Sequence, residues 1–165
     1  MRTTKICSKC KREKPRSEFS PRKDRPSGLY SCCKTCKALS KADQYRKRRQ
    51  DDPVSLWVVN AANWARDRAR RKGIPCDIQQ GDLRAALEQQ GFCCRYCSRT
   101  LNFRRTIATR ADSPTVDRVI PGRGYDSSNI VISCYRCNAI KNDATADELQ
   151  TIAAAVRQLV QERRL

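Results

Sequence analysis

The chain has 165 residues, with 35 Lys and Arg against 17 Asp and Glu, a formal charge of +18, and no histidine. That length fits one ordinary domain or two small ones. With 6% aromatic residues and a mean hydropathy of −0.76, the apolar supply excludes a large core and calls for staples. The charge surplus points to a polyanionic partner, most often nucleic acid; a basic face kept for solubility is the plainer explanation, weakened by the self-repulsion it carries.

In chain order, residues 1–38 read as a first zinc-binding module. It carries "CSKC" (Cys7, Cys10) and "CKTC" (Cys33, Cys36) around a charged, turn-rich segment in which Phe19, Leu29 and Tyr30 pack over the metal. Residues 39–72 read as a basic helical linker, its first part either a polar connection or a solvated helix. Within it, Pro53 opens a helix, Ser55 caps it, and Val58, Ala61, Ala62, Ala65 and Ala69 share one face. Arg66, Arg68, Arg70, Arg71 and Lys72 crowd the end of that helix. Positive charge there suits the helix dipole, and it also suits a phosphate backbone. Arg66, Arg70 and Arg71 are therefore candidate nucleic-acid contacts, together with Arg123 and Arg136 further on.

Gly73 and Pro75 stop the helix, "CDI" reads as a short strand, and "GDLRAALEQQG" reads as a short helix with Asp82 near its start. Two more knuckles follow, "CRYC" (Cys94, Cys97) and "CYRC" (Cys134, Cys137). The last segment opens with a capping box, Thr145 and Glu148. It carries an apolar stripe of Leu149, Ile152, Ala153, Val156, Leu159 and Val160 that suits either its own core or a second copy. No apolar run follows Met1 and no stretch is long enough to span a membrane, so a cytoplasmic chain with reduced thiols is expected.

Eight of the 11 cysteines thus form four C-x-x-C pairs. Such a turn presents two thiolates to one tetrahedral ion, and two turns close a four-cysteine zinc site. A redox pair is the competing explanation, but no βαβ pattern surrounds any of them. Cys32 and Cys93 adjoin a ligand, which leaves a slip by one residue open; Cys76 reads as a small buried apolar side chain. Two zinc-loaded sites would lower the effective charge to roughly +14, counting four thiolates per ion. A closed four-thiolate site has no position for water, so both zinc ions are structural and any cutting needs another metal.

Between the last two knuckles, "PTVDRVI" and "NIVIS" read as two strands joined by a turned loop, and "YRCNAIKND" as a short helix. Asp117 on the first strand and Asn138 on the helix are then placed to approach one another. Their oxygens suit Mg²⁺ or Mn²⁺; an ordinary surface Asp and a helix-capping Asn are the alternative for each alone.

"VDRVIPGRGYDSSNIVISCYRCNAIKND" resembles the ββα-metal core of phage-type HNH endonucleases, and the preceding "RARRKGIPCDIQQGDLRAALEQQGFCCRYCSRTL" resembles their lead-in. The first 40 residues resemble a small zinc module sometimes fused in front. The resemblance implies an α+β fold of small zinc-stabilised modules, with an HNH-like domain over 73–165 including the C-terminal helix. It implies divalent-metal-dependent hydrolysis of DNA in a bacterial host cytoplasm, with RNA as another possible substrate. Asp117 and Asn138 match the metal ligands, Asn129 the loop-bracing Asn, and Lys141 the lysine near the scissile phosphate. Cys94, Cys97, Cys134 and Cys137 match the structural zinc ligands.

One match fails. Arg118 stands where the family has its general-base histidine. General-base help contributes ~10²–10⁴-fold, and arginine does not deprotonate in proteins. It serves instead as a phosphate clamp. Asp112, Asp126 and Tyr125 are the nearby substitutes, each weak. Three readings follow: an HNH endonuclease, a DNA-binding protein that keeps the shell without the base, and a zinc-ribbon adaptor for an acidic protein.

Overall fold

The computed structural model describes residues 3–104 and 110–163. Two compact units divide at Asp52/Pro53. The helix expected inside a linker over 39–72 is therefore built into the second unit. Its alanine stripe packs into a core, which a solvated connection has no means to do.

The first unit is a two-stranded antiparallel ribbon, β1 (Thr4–Ile6) on β2 (Glu13–Pro15), followed by helix α1 (Lys34–Asp51). Its core is very small: Cys7, Phe19 and Cys33 are buried, with Leu29, Cys10, Cys32 and Cys36 half-buried against them. Tyr30 instead meets two cations, with Arg22 5.0 Å and Lys37 3.5 Å from its ring centre. Helix α1 begins inside the second knuckle and buries none of its side chains, which fits its run of Lys, Arg, Asp and Gln.

The four thiols of this unit, Cys7, Cys10, Cys33 and Cys36, lie with their Sγ atoms within 4.8 Å of one another, so the group could hold zinc. Main-chain N–H groups of Cys33 and Cys10 hold the Cys7 thiol down to about 6, while the Cys33 thiol and burial push Cys36 up to about 12. Four adjoining thiols cannot all ionise side by side; a dication at their centre removes that conflict.

The second unit contains α2 (Pro53–Lys72), α3 (Gln80–Gln89), β3 (Pro114–Arg118), β4 (Ile130–Cys134), α4 (Tyr135–Lys141) and α5 (Ala146–Glu162). Helix α2 starts at Pro53 itself, whose fixed φ suits a first turn, so Ser55 lies inside the helix rather than capping it. Val58, Ala61, Ala62, Ala65 and Ala69 are buried and meet Leu83 and Leu87 of α3, Ile78, Leu101 and Ile132. Alanines keep that face thin. At the start of α3, Asp82 bonds back to the Gln79 N–H at 2.8 Å in a capping box.

Strands β3 and β4 pair antiparallel with Asp117 opposite Val131 and Arg118 opposite Ile130. The outer edge of β4 is covered by a side chain: the Gln90 amide accepts from Ile132 N (3.0 Å) and donates to Ile132 O (2.7 Å), as a neighbouring strand would. "CDI" does not become a strand; only Cys76 bridges, in parallel, to Tyr125. That bridge brings Gly124 against Pro75, where an added Cβ would lie 2.4 Å from the Pro75 carbonyl oxygen. In α5 the expected capping box forms, but Ile152, Val156, Leu159 and Val160 are all exposed, so the stripe does not pack on its own core.

The second thiol group, Cys94, Cys97, Cys134 and Cys137, also has all four Sγ atoms within 4.8 Å and could hold zinc. Cys97 and Cys134 are 3.9 Å apart, close to the ~3.8 Å edge of a tetrahedron with Zn–S bonds of ~2.3 Å. In both groups the second cysteine of the adjacent pairs, Cys33 and Cys94, is in the cluster, and Cys32 and Cys93 are outside it. Burial raises the Cys94 thiol, but main-chain N–H groups of Cys134, Cys97 and Tyr96 outweigh it and bring it to about 7.

Two outcomes follow. Cys7→Ala should lower bound zinc from two to one per chain by metal analysis and expose the amides of residues 3–52 to hydrogen exchange. Structural zinc contributes about 10–16 kcal/mol in small modules, far beyond what so few buried side chains supply. Gly124→Ala should destabilise the second unit by about 1–3 kcal/mol, read as a lowered Tm at fixed zinc, because the loop must retreat from Pro75.

Candidate functional site

The four-thiol junction of β4 and α4 sets the geometry. Cys134 ends the strand and caps the helix, its Sγ accepting from Cys137 N at 3.5 Å. Three residues of helix later comes Asn138, and β3 lies alongside with Asp117. Both line one cavity of about 510 Å³, together with Arg118, Arg68, Arg71 and Lys72. The carboxylate and the carboxamide expected to meet are thus brought to a common hollow with basic walls.

Asp117 is only 5% exposed. Its charge is compensated locally: Tyr96 Oη donates to Oδ2 at 2.6 Å, and Lys141 Nζ lies 3.4 Å from Oδ1 and 3.3 Å from Oδ2. Lys141 also donates to Arg118 O at 2.8 Å and does not line the cavity. The lysine expected beside the scissile phosphate is held at the base of β3 because a buried carboxylate needs a counter-charge. Burial first, then the bond to Asp117, push the Tyr96 phenol well above its ordinary range, so it stays a donor.

Arg118 lines the cavity, but its guanidinium is anchored. It donates to Arg123 O at 2.9 Å and lies 5.2 Å over the Tyr125 ring. Asn129 is 1% exposed and laces the loop 119–128 shut. Its Oδ1 accepts from Ile120 N (2.9 Å), and its Nδ2 donates to Ile120 O (3.2 Å) and Gly124 O (2.8 Å). It holds the loop and does not line the cavity.

The weak substitutes for a proton acceptor fare differently. Asp126 accepts from Ser128 Oγ at 2.5 Å and Ser128 N at 2.9 Å, and chiefly that hydroxyl holds it below the usual carboxylate range. Asp112 lines a separate hollow with Asn102 and Arg104. Tyr125 is buried beneath Arg118.

Of the basic candidates on α2, only Arg71 reaches the cavity. Arg66 and Arg70 bond to Asn63 and Asp67 of their own helix at 2.8 and 2.9 Å. Arg68 and Lys72, part of the same basic cluster but not among the candidate contacts, take their place, since residues i, i+3 and i+4 share a face with Arg71. Among the described residues, Arg68 and Lys72 pair with no acid. Arg123 and Arg136 are exposed and outside the cavity; Arg123 reaches Asp126 only at 3.5 Å. Asp143, also missed, is a second acid on the cavity wall. The signal was its place just past the helix that carries Asn138.

These donors fit a hard divalent cation. A carboxylate has about four acceptor sites, and Tyr96 and Lys141 do not exhaust those of Asp117. Among the described residues nothing bonds to the Asn138 side-chain amide, so its oxygen is available. Carboxylate and amide oxygens are the ligands Mg²⁺ and Mn²⁺ prefer. The four-thiolate groups, in contrast, have no vacant position once filled. No helix among the described residues is long and apolar enough to cross a membrane.

No protein-family profile matches the chain, and comparison with curated proteins finds no match. Among solved structures, the chain is similar to one described as the rare-cutting HNH restriction endonuclease PacI, with a TM-score of 0.40 and 19% identity over 98% of this chain and 99% of that one.

Proposed function

We propose that the chain is an HNH-type endonuclease that hydrolyses phosphodiester bonds in DNA with one divalent ion, Mg²⁺ or Mn²⁺, held by Asp117 and Asn138. The observation that carries this reading is the shared cavity of a buried carboxylate and an unengaged carboxamide, walled by basic side chains. Two structural zinc ions hold the two units in shape. When bound, the divalent ion lowers the pKa of a water and polarises the phosphoryl group.

The chain's own residues do the rest. Arg68, Arg71 and Lys72 draw the phosphate backbone against α2, and Arg118 offers a guanidinium to the charge that builds on the phosphate oxygens. Arg118 is already oriented by Arg123 O and Tyr125, so little ordering remains on binding. Lys141 and Tyr96 keep Asp117 in place. Among the described residues lining the cavity, no histidine stands ready to take the proton of the attacking water, so turnover is slow.

That same feature favours a second reading, a DNA-binding protein that retains the HNH shell and does not cut. The Lys141 ion pair strengthens it, because a metal must share Asp117 with an ammonium already present.

A plasmid-nicking assay with Mg²⁺ or Mn²⁺ separates the two. Slow nicking by the native chain, lost in Asn138→Ala and in the isosteric Asp117→Asn, is the expected outcome. Arg118→His should raise the rate at least ~10-fold, the low side of what a general base contributes. The gain should grow as pH rises through ~6.5, where an imidazole becomes neutral and able to accept a proton. Tight DNA binding without nicking in either protein would establish the second reading instead. Arg68→Ala and Lys72→Ala should each flatten the salt dependence of DNA affinity by about 0.9 in log–log slope, one phosphate contact apiece, whereas Arg70→Ala should leave it unchanged.

A further inference from the structure

Helix α2 carries a second stripe. Trp57, Ala61, Trp64 and Arg68 recur three or four residues apart and fall along one side, with Ala65 next to them. Two indoles with only alanines between them leave a gap that no side chain of the helix fills. A cavity of about 200 Å³ opens there, lined also by Pro114 and Val116 of β3 and by Tyr135 of α4.

Its aromatic walls differ in freedom. Trp57 is fixed: Nε1 donates to Pro114 O at 3.2 Å, and its ring meets Phe103 edge-on at 5.6 Å. Trp64 is 56% exposed, and among the described residues no hydrogen bond or ring contact holds it. An indole left open to water beside a hollow is a surface waiting for a flat partner. Tyr135 is set by the zinc knuckle, being the residue between Cys134 and Arg136, with its N–H on Ser113 O at 2.8 Å.

The slot adjoins the cavity that Asp117 lines. Arg68, Tyr135 and Asn138 line both. A volume of about 200 Å³ falls below the ~300–1,000 Å³ of sites that take drug-sized molecules, so it suits a single planar ring system. A ring system covalently next to a phosphate, entering beside a basic wall, is a nucleobase.

We propose that this slot receives one unpaired base of the DNA strand whose phosphate lies in the neighbouring cavity. The inference rests on the functional reading above and adds the DNA structure preferred. The base stacks against Trp64 and Tyr135, which any base can do because every base has a π-face, and Arg68 stands at the junction of base and phosphate. A base inside an intact duplex must first leave its stack and its partner, which opposes entry; a bulged or otherwise unpaired base has no such opposition. The chain therefore favours DNA with an unpaired nucleotide over perfect duplex.

The test measures equilibrium binding by fluorescence anisotropy with the zinc-loaded protein and no added Mg²⁺ or Mn²⁺, so that nothing is cut. Three labelled DNAs are compared: a paired duplex, the same duplex with one bulged nucleotide, and the bulged duplex with an abasic residue at the bulge. The native chain should bind the bulged DNA about ten-fold more tightly than either other form, the scale of one base stacked on an aromatic side chain. Trp64→Ala should bring the bulged DNA down to the affinity of the abasic form, and Trp64→Phe, which keeps a stacking face, should restore most of the preference. Zinc content and Tm monitor folding, and the exposed position of Trp64 leaves the core untouched. Equal affinity of the native chain for all three DNAs, or a bulge preference unaltered in Trp64→Ala, would overturn the slot and leave the functional reading standing. Failure to bind any of the three at low salt would overturn both.

Discussion

The second unit depends on a single meeting point: four sulfur atoms that belong to two distant stretches of chain lie within 4.8 Å of one another. One pair sits in the loop after α3. The other straddles the point where β4 becomes α4, so Cys134 is at once the last residue of a strand and the cap of a helix. Fixing that junction fixes the angle at which α4 leaves the sheet. From it follow the positions of Tyr135, Asn138 and Lys141, each reached within two turns of helix. The two-stranded sheet and seven-residue helix are too small to hold that arrangement by burial alone.

Charge is the second organising constraint. A carboxylate buried to the extent of Asp117 is costly without partners, and it has both a phenol and an ammonium. Removing one member of such a buried pair typically costs about 3–5 kcal/mol, and Lys141, outside the cavity lining, is the partner of that carboxylate. Tyr96 arrives from the first knuckle of the same thiol group. The thiol group and the acid beside it are thus linked by a hydrogen bond as well as by backbone. On the open side the charges are unpaired, with Arg68, Arg71 and Lys72 along one edge of α2. Positive charge that no salt bridge neutralises is what a phosphate backbone can neutralise.

Helix α2 joins these themes. Its alanine face is thin enough to seat the helix close to α3 and β3, and the adjoining stripe of Trp57, Trp64 and Arg68 overlooks the same strand. One short repeat of small residues therefore both packs the core and leaves room beside it. That is why the segment belongs to the second unit and does not act as a spacer, despite a sequence rich in arginine.

Much of this was legible in the sequence. The C-x-x-C pairs, the helix faces, the capping box at Thr145–Glu148, and the strand–loop–strand–helix order all follow from local spacing, because turn chemistry and periodicity act over a few residues. Asp82 was recognised near its helix start, though its Gln79 partner was not, since glutamine is an uncommon cap. Other features required the tertiary structure. Whether Arg66 or Arg68 faces the cavity depends on how α2 is rotated against the core, and a shift of two residues turns a helix by more than half a circle. Lys141 was placed by its motif near a phosphate, yet a buried acid 24 positions earlier in the chain claims it. Sequence spacing therefore determined the staples and the elements they join. Only the fold decided which charges cancel inside and which remain outside, because burial and electrostatic pairing act between residues that the chain itself keeps far apart.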